Sequence, residues 1–374
     1  MTSFATQSEV AIAHDYLTQR GGAEKVVLAL ARAFPGAPIY TTLYNPGSTY
    51  PDFAGCTIRV SWLNSVPILR KFHRAALPFL AIASSMVKIE ARVTLVSSSG
   101  WAHGFRSRGP KIVYCYSPAR WLYQREAYLG DRRQILKRMA LRVLEPALKR
   151  WDRRSASSAY KYFAISTVVR QRIQEAYGIE AEVLPAPHSI DTTQPQEPVD
   201  ISELPRAAED GYYLCISRLL PYKNVDVVMD AVSSLQLPLI IVGTGPEERR
   251  LQQKAGRAVL MLKNLTDGQM RWLYANCNAV ISASYEDFGL TPIEAAAFGK
   301  PSIVLRWGGF LDTVREGVTG TYFDKPTVPL IREAVLVSRE RTWDDALLVE
   351  HAKGFSEERF VRRLKEEMQK AAGA

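Results

Sequence analysis

Short apolar runs that end in polar or glycine-containing loops alternate with longer amphipathic segments along most of the chain. The apolar runs lie at residues 10–14, 93–97, 112–116, 162–166, 212–216, 239–242, 258–262 and 302–305. Buried strands of a parallel sheet are near-continuous apolar runs, whereas helices place apolar residues three or four positions apart. The alternation therefore predicts an α/β protein with two parallel sheets wound with helices.

A proline- and acid-rich segment between residues 185 and 205 interrupts this alternation. Because such a composition is typical of a linker, the first domain is predicted to end near Pro187 and the second to begin at residue 188. After residue 323 the pattern is mostly helical, and residues 356–371 are predicted to form a terminal amphipathic helix.

Residues 278–314 contain several structural signals close together. A buried strand is followed by a polar turn, after which Pro292 suits the start of a helix and Gly299 its end. Residues 302–305 form the next strand, and Gly308-Gly309 opens the loop after it. Two strand ends and a helix N-terminus therefore converge on one edge of the sheet, where open α/β sheets bind anionic ligands.

Glycine-containing loops also follow strands of the first half. Gly21 and Gly22 lie between the first strand and the first helix, where they suit either a helix-entry turn or the close approach of backbone to a ligand. His103 lies between Gly100 and Gly104 after another strand. We expect it to be presented into a cleft, with a capping or core position as the alternative.

Two cations leave a strand of the second half and meet the start of a helix. Arg218 can hold phosphate oxygens with its planar fork and Lys223 adds a compact charge, so the pair suits a diphosphate. A surface ion pair with Asp226 is the structural alternative. The glycine turn at Gly243 does not complete a dinucleotide-binding pattern, because Glu248 stands at the third glycine position.

Two carboxylates, Glu286 and Glu294, flank the predicted helix start at residue 292. Thr291 and Glu294 have the spacing of a helix capping box, which favours a structural role for Glu294. Glu286 has no local explanation, and an unpaired buried carboxylate is costly. The hydroxyl groups of a sugar would satisfy it.

The chain has 374 residues, 47% of them apolar, and a formal net charge of +10. The apolar content argues against a disordered or fibrous protein, and the charge is compatible with phosphate-bearing ligands, nucleic acid or an anionic membrane surface. Basic and large apolar residues mix at residues 61–87 and 132–154, which suits either membrane-surface helices or ordinary amphipathic helices. No recognised nucleic-acid motif accompanies them.

The cysteines and the N-terminal residues indicate the compartment. The cysteines, at positions 56, 115, 215 and 277, are far apart and predict free thiols in a reducing environment. The first nine residues lack the features of a signal peptide, and the apolar run around 75–87 is shorter than the roughly 20 residues that span a bilayer. A cytoplasmic location is predicted.

Several motifs together resemble those of one enzyme family. Glu286-Asp-Phe-Gly-Leu-Thr-Pro-Ile-Glu294 looks like the E-x7-E motif of retaining family-4 glycosyltransferases. Arg218 and Lys223 fall where that family has its phosphate-binding pair, and Gly308-Gly309-Phe-Leu-Asp312 where it has a GG-x-x-E loop. The resemblance spans nearly the whole chain, including Gly21-Gly22-Ala-Glu24.

The resemblance implies the GT-B fold, in which two Rossmann-like, doubly wound parallel-sheet domains face each other across a cleft. The acceptor-binding domain would comprise residues 1–187 and the nucleotide-sugar domain residues 188–353, with a helix at 354–374 crossing back to the first domain. No cofactor and no metal are implied, and the chain has no Asp-x-Asp at a strand end.

The family's roles carry over to matching positions. The resemblance implies that Arg218 and Lys223 stabilise the leaving diphosphate, and that Glu286 binds hydroxyl groups of the donor sugar. His103 joins them in the expected catalytic group. The other expected donor-binding residues are Gly21, Gly22, Gly243, Asp287, Phe288, Gly289, Leu290 and Glu294, the last on the ribose. The expected acceptor-side residues are Tyr16, Trp101, His103 and Arg120.

Residues 97–104, 114–121 and 217–223 are similar to the subgroup that builds O-antigens and exopolysaccharides, often mannosyltransferases that use GDP-mannose. Tyr116 stands where that subgroup often has His, Asp312 replaces its usual Glu, and Arg306-Trp307 before Gly308 is atypical. The sequence therefore predicts retaining transfer of a sugar, with GDP-mannose as the expected donor, to a glycan or lipid-linked acceptor at the anionic inner membrane surface. The alternatives are a UDP-sugar donor, a non-catalytic membrane-binding GT-B protein, and a nucleic-acid binder.

Overall fold

The computed structural model describes residues 8–71, 77–124, 135–205 and 211–373. Over these residues the chain forms two compact units. The first extends to Pro185 and resumes at Glu357, and the second is Ala186–Ser356.

A parallel sheet forms the centre of the first unit. The strands of this unit are β1 (Ser8–His14), β2 (Ile39–Thr41), β3 (Ile58–Val60), β4 (Lys88–Ile89), β5 (Ala91–Ser98), β6 (Arg106–Ser107), β7 (Lys111–Cys115), β8 (Lys161–Ala164) and β9 (Glu182–Val183). Seven of them form one sheet in the order β3-β2-β1-β5-β7-β8-β9, and β4 pairs with β6 alone.

Helices connect these parallel strands. They are α1 (Gly22–Ala33), α2 (Pro67–Lys71), α3 (Leu77–Met86), α4 (Arg120–Tyr123), α5 (Ile135–Ser157) and α6 (Thr167–Tyr177), with short 3-10 turns at Pro51–Gly55, Trp62–Ser65 and Ala102–Gly104. The limits of α6 follow from its sequence. Ser166 accepts a hydrogen bond from the Val169 amide at 3.3 Å, and Gly178 ends the helix with φ 71°.

The second unit repeats the plan. Its strands are β10 (Tyr212–Ile216), β11 (Leu239–Val242), β12 (Val259–Leu262), β13 (Cys277–Ser282), β14 (Ser302–Leu305) and β15 (Gly320–Phe323). Its helices are α7 (Val225–Ser234), α8 (Glu248–Lys254), α9 (Asp267–Asn276), α10 (Leu290–Ala297), α11 (Phe310–Thr313), α12 (Val328–Glu340) and α13 (Asp345–Lys353). The strands lie parallel in the order β12-β11-β10-β13-β14-β15, the doubly wound order of a Rossmann sheet.

The order of strands reverses once in each sheet. In the second unit the reversal falls between β10 and β13, and in the first between β1 and β5. At each reversal the two loops that leave the carboxyl ends of the strands diverge to opposite faces and leave room for a ligand. Functional side chains are therefore expected at these two edges.

The predicted class of α/β protein with two parallel sheets is confirmed, and β10, β11 and β14 have the bounds that the pattern predicts. Two expectations differ in detail. The helix expected to begin at Pro292 begins at Leu290, because Gly289 adopts φ 89° and serves as its N-cap. The segment 61–87, whose pattern predicts a helix interrupted at Pro67 and Pro78, has a 3-10 turn before Pro67, then α2 and α3, so the break at Pro67 is present whereas Pro78 lies within α3.

The last helix, α14 (Glu357–Gly373), belongs to the first unit. Phe360 is buried and meets the ring of Tyr114 edge-on at 5.0 Å. Arg363 donates two hydrogen bonds to Glu182, at 2.7 and 2.6 Å, so the end of the chain is fastened to the edge strand β9 by a bidentate ion pair.

Replacing Phe360 by Ala tests how strongly α14 is fixed. Loss of a buried phenyl ring and the cavity that remains should lower the free energy of unfolding of the first unit by about 3–5 kcal/mol. Urea unfolding followed by circular dichroism measures the change. Arg362→Ala, at an exposed position of the same helix, is the matched control and should change stability little. Equal stability of the Phe360 variant and the control would contradict the docking role.

Candidate functional site

The carboxyl edge at the reversal between β10 and β13 carries a paired cation and carboxylate. Lys223, in the 3-10 turn Pro221–Lys223 after β10, donates to Oε1 of Glu286 in the loop after β13. The lysine side chain is 8% exposed and that of Glu286 is 30% exposed. Two residues that are 63 positions apart in the sequence thus meet at this edge of the sheet.

Further hydrogen bonds hold Glu286 and the loop that carries Lys223 in place. Ser284 donates to the same Oε1 of Glu286 at 3.0 Å, and its own hydroxyl is 2.9 Å from that of Ser282. Asn224 adopts φ 52° and donates from its side chain to the carbonyl of Ala283 at 2.9 Å. This bond ties the loop after β10 to the loop after β13. We call Lys223, Ser284 and Glu286 the switch-point cluster.

Arg218 lies exposed at the same edge, on the loop between β10 and the switch-point cluster. Within the described part of the chain it makes no ion pair. The alternative that Asp226 pairs with Arg218 or Lys223 is wrong, because Asp226 accepts from Arg250 at 3.2 Å. The guanidinium of Arg218 is therefore free to meet an anion.

The glycine turn at Gly243 has a structural reason. A Cβ atom there would lie 1.8 Å from the carbonyl oxygen of Ser217, so only glycine lets the two backbone segments approach. The loops are joined by a hydrogen bond from the Leu219 amide to the Thr244 carbonyl at 2.9 Å. The close approach at Gly243 thus supports the loop that carries Arg218.

The N-terminus of α10 adjoins the switch-point cluster. Its N-cap is Gly289, which has no side chain to cap the helix, and the first amides of a helix have no intrahelical partner. The ring of Phe288 is buried, while Asp287, Gly289 and Leu290 are partly exposed. The Gly309 amide donates to the Glu286 carbonyl at 2.9 Å, which brings the Gly308-Gly309 loop to the same place.

The capping-box interpretation of Glu294 is wrong. The helix begins at Leu290, so Thr291 lies inside its first turn and cannot be the N-cap. Glu294 instead accepts a hydrogen bond from the hydroxyl of Tyr274 at 2.5 Å. The structure has a true capping box elsewhere, between Thr266 and Gln269 at the start of α9.

The positions that depart from the subgroup's pattern have structural partners. Arg306 pairs with Glu316 at 2.7 Å and with Asp324 at 2.9 Å, and its guanidinium lies 4.6 Å from the ring centre of Tyr322. The ring of Trp307 meets that of Tyr285 edge-on at 5.2 Å. Asp312 lies partly buried in α11, at the end of the Gly308-Gly309 loop.

At the corresponding edge of the first unit, a buried carboxylate organises the loop after β5. Asp15, the first residue after β1, accepts hydrogen bonds from the amides of Trp101 at 2.7 Å and Ala102 at 2.6 Å. It also accepts from the hydroxyl of Ser99 at 2.9 Å. Hydrogen bonds from several donors compensate for burying a charge, so Asp15 fixes this loop.

The expectation that His103 is presented into a cleft is wrong, and the alternative of a core position describes it. His103 is 2% exposed; its Nε2 lies 2.8 Å from Oδ1 of Asp152 and its Nδ1 lies 3.3 Å from the hydroxyl of Ser98. Ser98, His103 and Asp152 are the residue types of a hydrolase triad, yet all three are buried. Their packing beside Trp151 and Tyr177 indicates a core histidine.

The other expected acceptor-side residues are divided. Trp101 is buried and stacks on Trp121 at 4.7 Å, so its side chain belongs to the core. Tyr16 packs against the same aromatic cluster but is partly exposed, and Arg120 is the partly exposed first residue of α4. The two partly exposed side chains remain candidates.

The glycine loop of the first unit covers a buried polar cluster. Gly21 is the N-cap of α1, Gly22 is exposed, and the carboxylate of Glu24 lies beneath them, 3.8 Å from Nε2 of His14. Burial opposes protonation of His14, but the hydrogen bond and the charge of Glu24 raise its pKa above the usual value. The other ring nitrogen is 3.0 Å from the hydroxyl of Ser97.

Tyr116, which replaces the subgroup's usual histidine, continues this cluster. Its hydroxyl lies 2.9 Å from that of Ser97 and donates to the carbonyl of Ala23 at 3.3 Å. It therefore ties the carboxyl end of the sheet to the start of α1.

Membrane-spanning helices, metal ligands and cysteines are the remaining features of the described residues. No helix in this part of the chain is long and apolar enough to cross a bilayer. No group of three or more His, Cys, Asp or Glu side chains in the same ranges is arranged to hold a metal ion. The four cysteines are free thiols, as predicted.

Sequence reasoning missed three residues that organise the two edges: Asp15, Tyr274 and Ser284. Asp15 is the first residue after β1 and Ser284 the second after β13, both at a reversal of strand order, which is a signal that could have singled them out. Tyr274 carries no such signal, because only the packing of α9 against α10 brings it to Glu294.

Two family models together cover most of the chain. Residues 20–194 match the model described as Glycosyltransferase Family 4, and residues 197–336 match the model described as Glycosyl transferases group 1. The two matches meet within the predicted linker.

Curated relatives are similar over shorter stretches. Over 145 residues the chain is 32% identical to the alpha-1,3/1,6-mannosyltransferase ALG2 of Dictyostelium discoideum, which covers 31% of this chain and 34% of the relative. Over 205 residues it is 27% identical to a GDP-mannose-dependent alpha-(1-6)-phosphatidylinositol monomannoside mannosyltransferase of Mycolicibacterium smegmatis, covering 49% of this chain and 54% of the relative. The chain thus spans about a third and about half of the length of these two relatives.

The fold is similar to that of Anabaena Alr3699/HepE, solved in complex with UDP. The TM-score is 0.70 at 17% sequence identity, over 97% of this chain and 100% of that chain. At this identity the likeness concerns the fold alone. The family models, the relatives and the fold agree, and the protein belongs to the family-4 glycosyltransferases with the GT-B fold and is similar to mannosyltransferases.

Proposed function

We propose that the protein is a retaining glycosyltransferase that moves a sugar, best assigned as mannose from GDP-mannose, to a glycan or lipid-linked acceptor in surface polysaccharide synthesis. The observation that carries this proposal is the switch-point cluster with Arg218 exposed beside it. Two cations and a partly exposed carboxylate there adjoin the N-terminus of α10, whose N-cap is a glycine. This is a combination suited to a diphosphate joined to a sugar.

The charges divide into two roles. Arg218 and Lys223 neutralise the diphosphate, on which negative charge develops as the glycosidic bond breaks, and preorganised cations lower that barrier. Lys223 and Ser284 both donate hydrogen bonds to Oε1 of Glu286, which leaves Oε2 for a sugar hydroxyl. The backbone of Phe288, Gly289 and Leu290 contacts sugar and phosphate at the start of α10. Asp287 belongs to the same donor-binding group, and Glu294 contacts the ribose.

Retention follows from attack on the same face as the leaving group. The acceptor hydroxyl forms the new bond to the anomeric carbon while the bond to the diphosphate breaks, and the leaving phosphate oxygen takes the hydroxyl proton. Glu286 is a substrate clamp in this scheme. Its pairing with Lys223 makes it a poor nucleophile for double displacement.

The donor base and sugar are the finer part of the proposal. Mannose and GDP are favoured because the relative from Mycolicibacterium smegmatis is named as GDP-mannose-dependent and ALG2 as a mannosyltransferase. The alternative is the same reaction with a UDP-sugar as donor, because Anabaena Alr3699/HepE is solved in complex with UDP. The donor is assigned to the second unit and the acceptor to the first, where Tyr16 and Arg120 are its candidate contacts.

We further propose that the reaction needs no metal, because Arg218 and Lys223 supply the positive charge that a bound cation would otherwise provide. The protein would work in the cytoplasm. A non-catalytic GT-B protein is the second candidate, and the intact pairing of Lys223 with Glu286 argues against it. Nucleic acid is not expected as a partner.

A nucleotide-sugar screen tests the donor. Purified protein is incubated with GDP-, UDP- and dTDP-sugars in the presence of EDTA, and released nucleoside diphosphate is measured. Release from GDP-mannose is expected, and its absence together with no calorimetric binding of GDP-mannose would contradict that donor.

Arg218→Ala should lower kcat by about 100-fold or more, because it removes transition-state charge stabilisation. Glu286→Gln should lower it by at least about tenfold.

Arg249→Ala is the matched control for these variants. Arg249 is an exposed arginine on α8 that takes no part in the hydrogen bonds of the switch-point cluster, and its loss should leave kcat within about twofold. Full activity of Glu286→Gln would exclude both a clamp and a nucleophile at this position. No turnover of any nucleotide-sugar by the wild type would favour the non-catalytic protein.

An exposed apolar face in the first unit supports a location at the membrane. On α3, Phe79, Ile82 and Met86 are spaced three and four residues apart and are 47%, 59% and 60% exposed. The opposite face is buried through Leu80 and Ala83. Clustered exposed apolar side chains of this size mark an interaction surface.

Neighbouring elements extend this surface and add charge. Trp62 and Ile68 are 45% and 63% exposed. Helix α5 packs on α3, with Trp151 Nε1 donating to the Ser85 hydroxyl at 2.7 Å, and it carries exposed Arg150 and Arg154. Of the basic and apolar positions expected to take part, Phe72, His73, Arg74, Arg132 and Arg133 lie outside the described residues.

We propose that this face of α3 docks on the anionic inner surface of the cell membrane. Insertion of the apolar side chains gains hydrophobic free energy, and each nearby basic residue adds up to about 1 kcal/mol of attraction to anionic lipid. Apolar and basic groups on adjacent helices are the combination that a peripheral membrane surface requires.

Ile82→Glu tests the docking face by co-sedimentation with vesicles. The wild type should bind vesicles that contain phosphatidylglycerol, less so at high salt, and bind pure phosphatidylcholine weakly. The variant should bind the anionic vesicles about tenfold more weakly, because a carboxylate replaces an inserted apolar group. Leu347→Glu, at a residue 53% exposed in the second unit, is the matched control. Equal loss in both variants would contradict a specific face.

A further inference from the structure

A buried phenol and a half-buried carboxylate meet behind the start of α10. Tyr274 on α9 is 1% exposed, and its hydroxyl donates to Oε2 of Glu294 at 2.5 Å. Glu294 lies in the second turn of α10, 20 positions further along the chain. Within the described residues no side chain or amide donates to its other oxygen, Oε1.

The ring of Tyr274 cannot easily move. It stacks on the ring of Phe298, with the ring centroids 5.9 Å apart and an angle of 6° between the ring planes. It also belongs to the core cluster that contains Leu273 and Ala295. Because a tyrosine has only two side-chain torsions and both are fixed by packing, its hydroxyl occupies a defined position.

The phenol is also a permanent donor. Burial, followed by the charge of Glu294, raises its pKa well above the usual value, so it stays protonated. Glu294, in contrast, lies at an end of the sheet where its side chain is only partly buried. A carboxylate on three flexible torsions would sample several positions there without a fixed partner.

We propose that Tyr274 is a positioning residue for nucleotide binding: its hydroxyl holds Oε2 of Glu294 so that Oε1 is presented to the 2′- and 3′-hydroxyl groups of the ribose. This inference rests on the proposed function, in which Glu294 contacts the ribose. A carboxylate held in its binding geometry loses less conformational entropy when the ligand arrives, which increases affinity. The contact concerns the nucleoside alone and is the same before and during sugar transfer.

Tyr274→Phe removes the hydroxyl and retains the ring. Calorimetry compares the nucleoside diphosphate that the wild type binds, GDP or UDP, with its 2′,3′-dideoxy form. The variant should bind the ribose form about tenfold more weakly, because a charge-assisted hydrogen bond that orients Glu294 is lost. Its affinity for the dideoxy form should equal that of the wild type. In turnover assays KM for the donor should rise while kcat stays within about twofold.

Tyr212→Phe is the matched control. Tyr212 lies in the same core cluster, and its hydroxyl donates to the Leu273 carbonyl at 3.0 Å without touching Glu294. It should leave both affinities unchanged, so a loss specific to the Tyr274 variant separates positioning from general destabilisation. Thermal unfolding of both variants checks that each is folded.

The outcomes distinguish this inference from the proposed function. If the wild type prefers the ribose form and the Tyr274 variant keeps the same preference, Tyr274 is only structural and the inference is overturned. Equal weakening of both ligands in that variant also overturns it. If the wild type does not distinguish the two forms, Glu294 does not bind ribose. If it binds no nucleoside diphosphate, the proposed function fails.

Discussion

The reversal of strand order between β10 and β13 is the constraint on which the functional part of the second unit depends. Parallel strands need crossover connections, and a sheet that winds outward in both directions from its centre must leave two loops side by side where the winding begins. Lys223 and Glu286 are on those two loops. Their meeting follows from topology, since 63 residues separate them and no local structure links them.

The pair of Lys223 and Glu286 balances two requirements. A lysine that is 8% exposed would be costly without a partner, and the carboxylate provides one. The same pair keeps a cation and an acceptor ready at the edge of the sheet, because Glu286 is still 30% exposed and engages its partners through one oxygen. Tyr274 likewise donates to one oxygen of Glu294, so within the described residues each of the two carboxylates has one oxygen that accepts hydrogen bonds from side chains and a second that accepts none.

The corresponding edge of the first unit has a different character. Asp15, His14 and Glu24 are almost completely buried, and their hydrogen bonds are to backbone amides or to neighbouring side chains. The buried charges there hold loops in place, and His103 and Trp101 are drawn into the core with them. Charged residues next to strand ends therefore serve structure in one unit and remain partly exposed in the other.

The sequence by itself determined the class of fold and most strand positions, and it singled out Lys223 and Glu286 of the switch-point cluster but not Ser284, because strand periodicity, helix stop signals and motif spacing are local properties. It could not decide side-chain burial. His103 had the loop position of an exposed residue but is paired with Asp152, 49 positions away. Thr291 and Glu294 had the spacing of a cap, but the positive φ of Gly289 starts the helix earlier and leaves Glu294 to Tyr274. Such partners come from distant parts of the chain, and only the packing of helices and sheets brings them together.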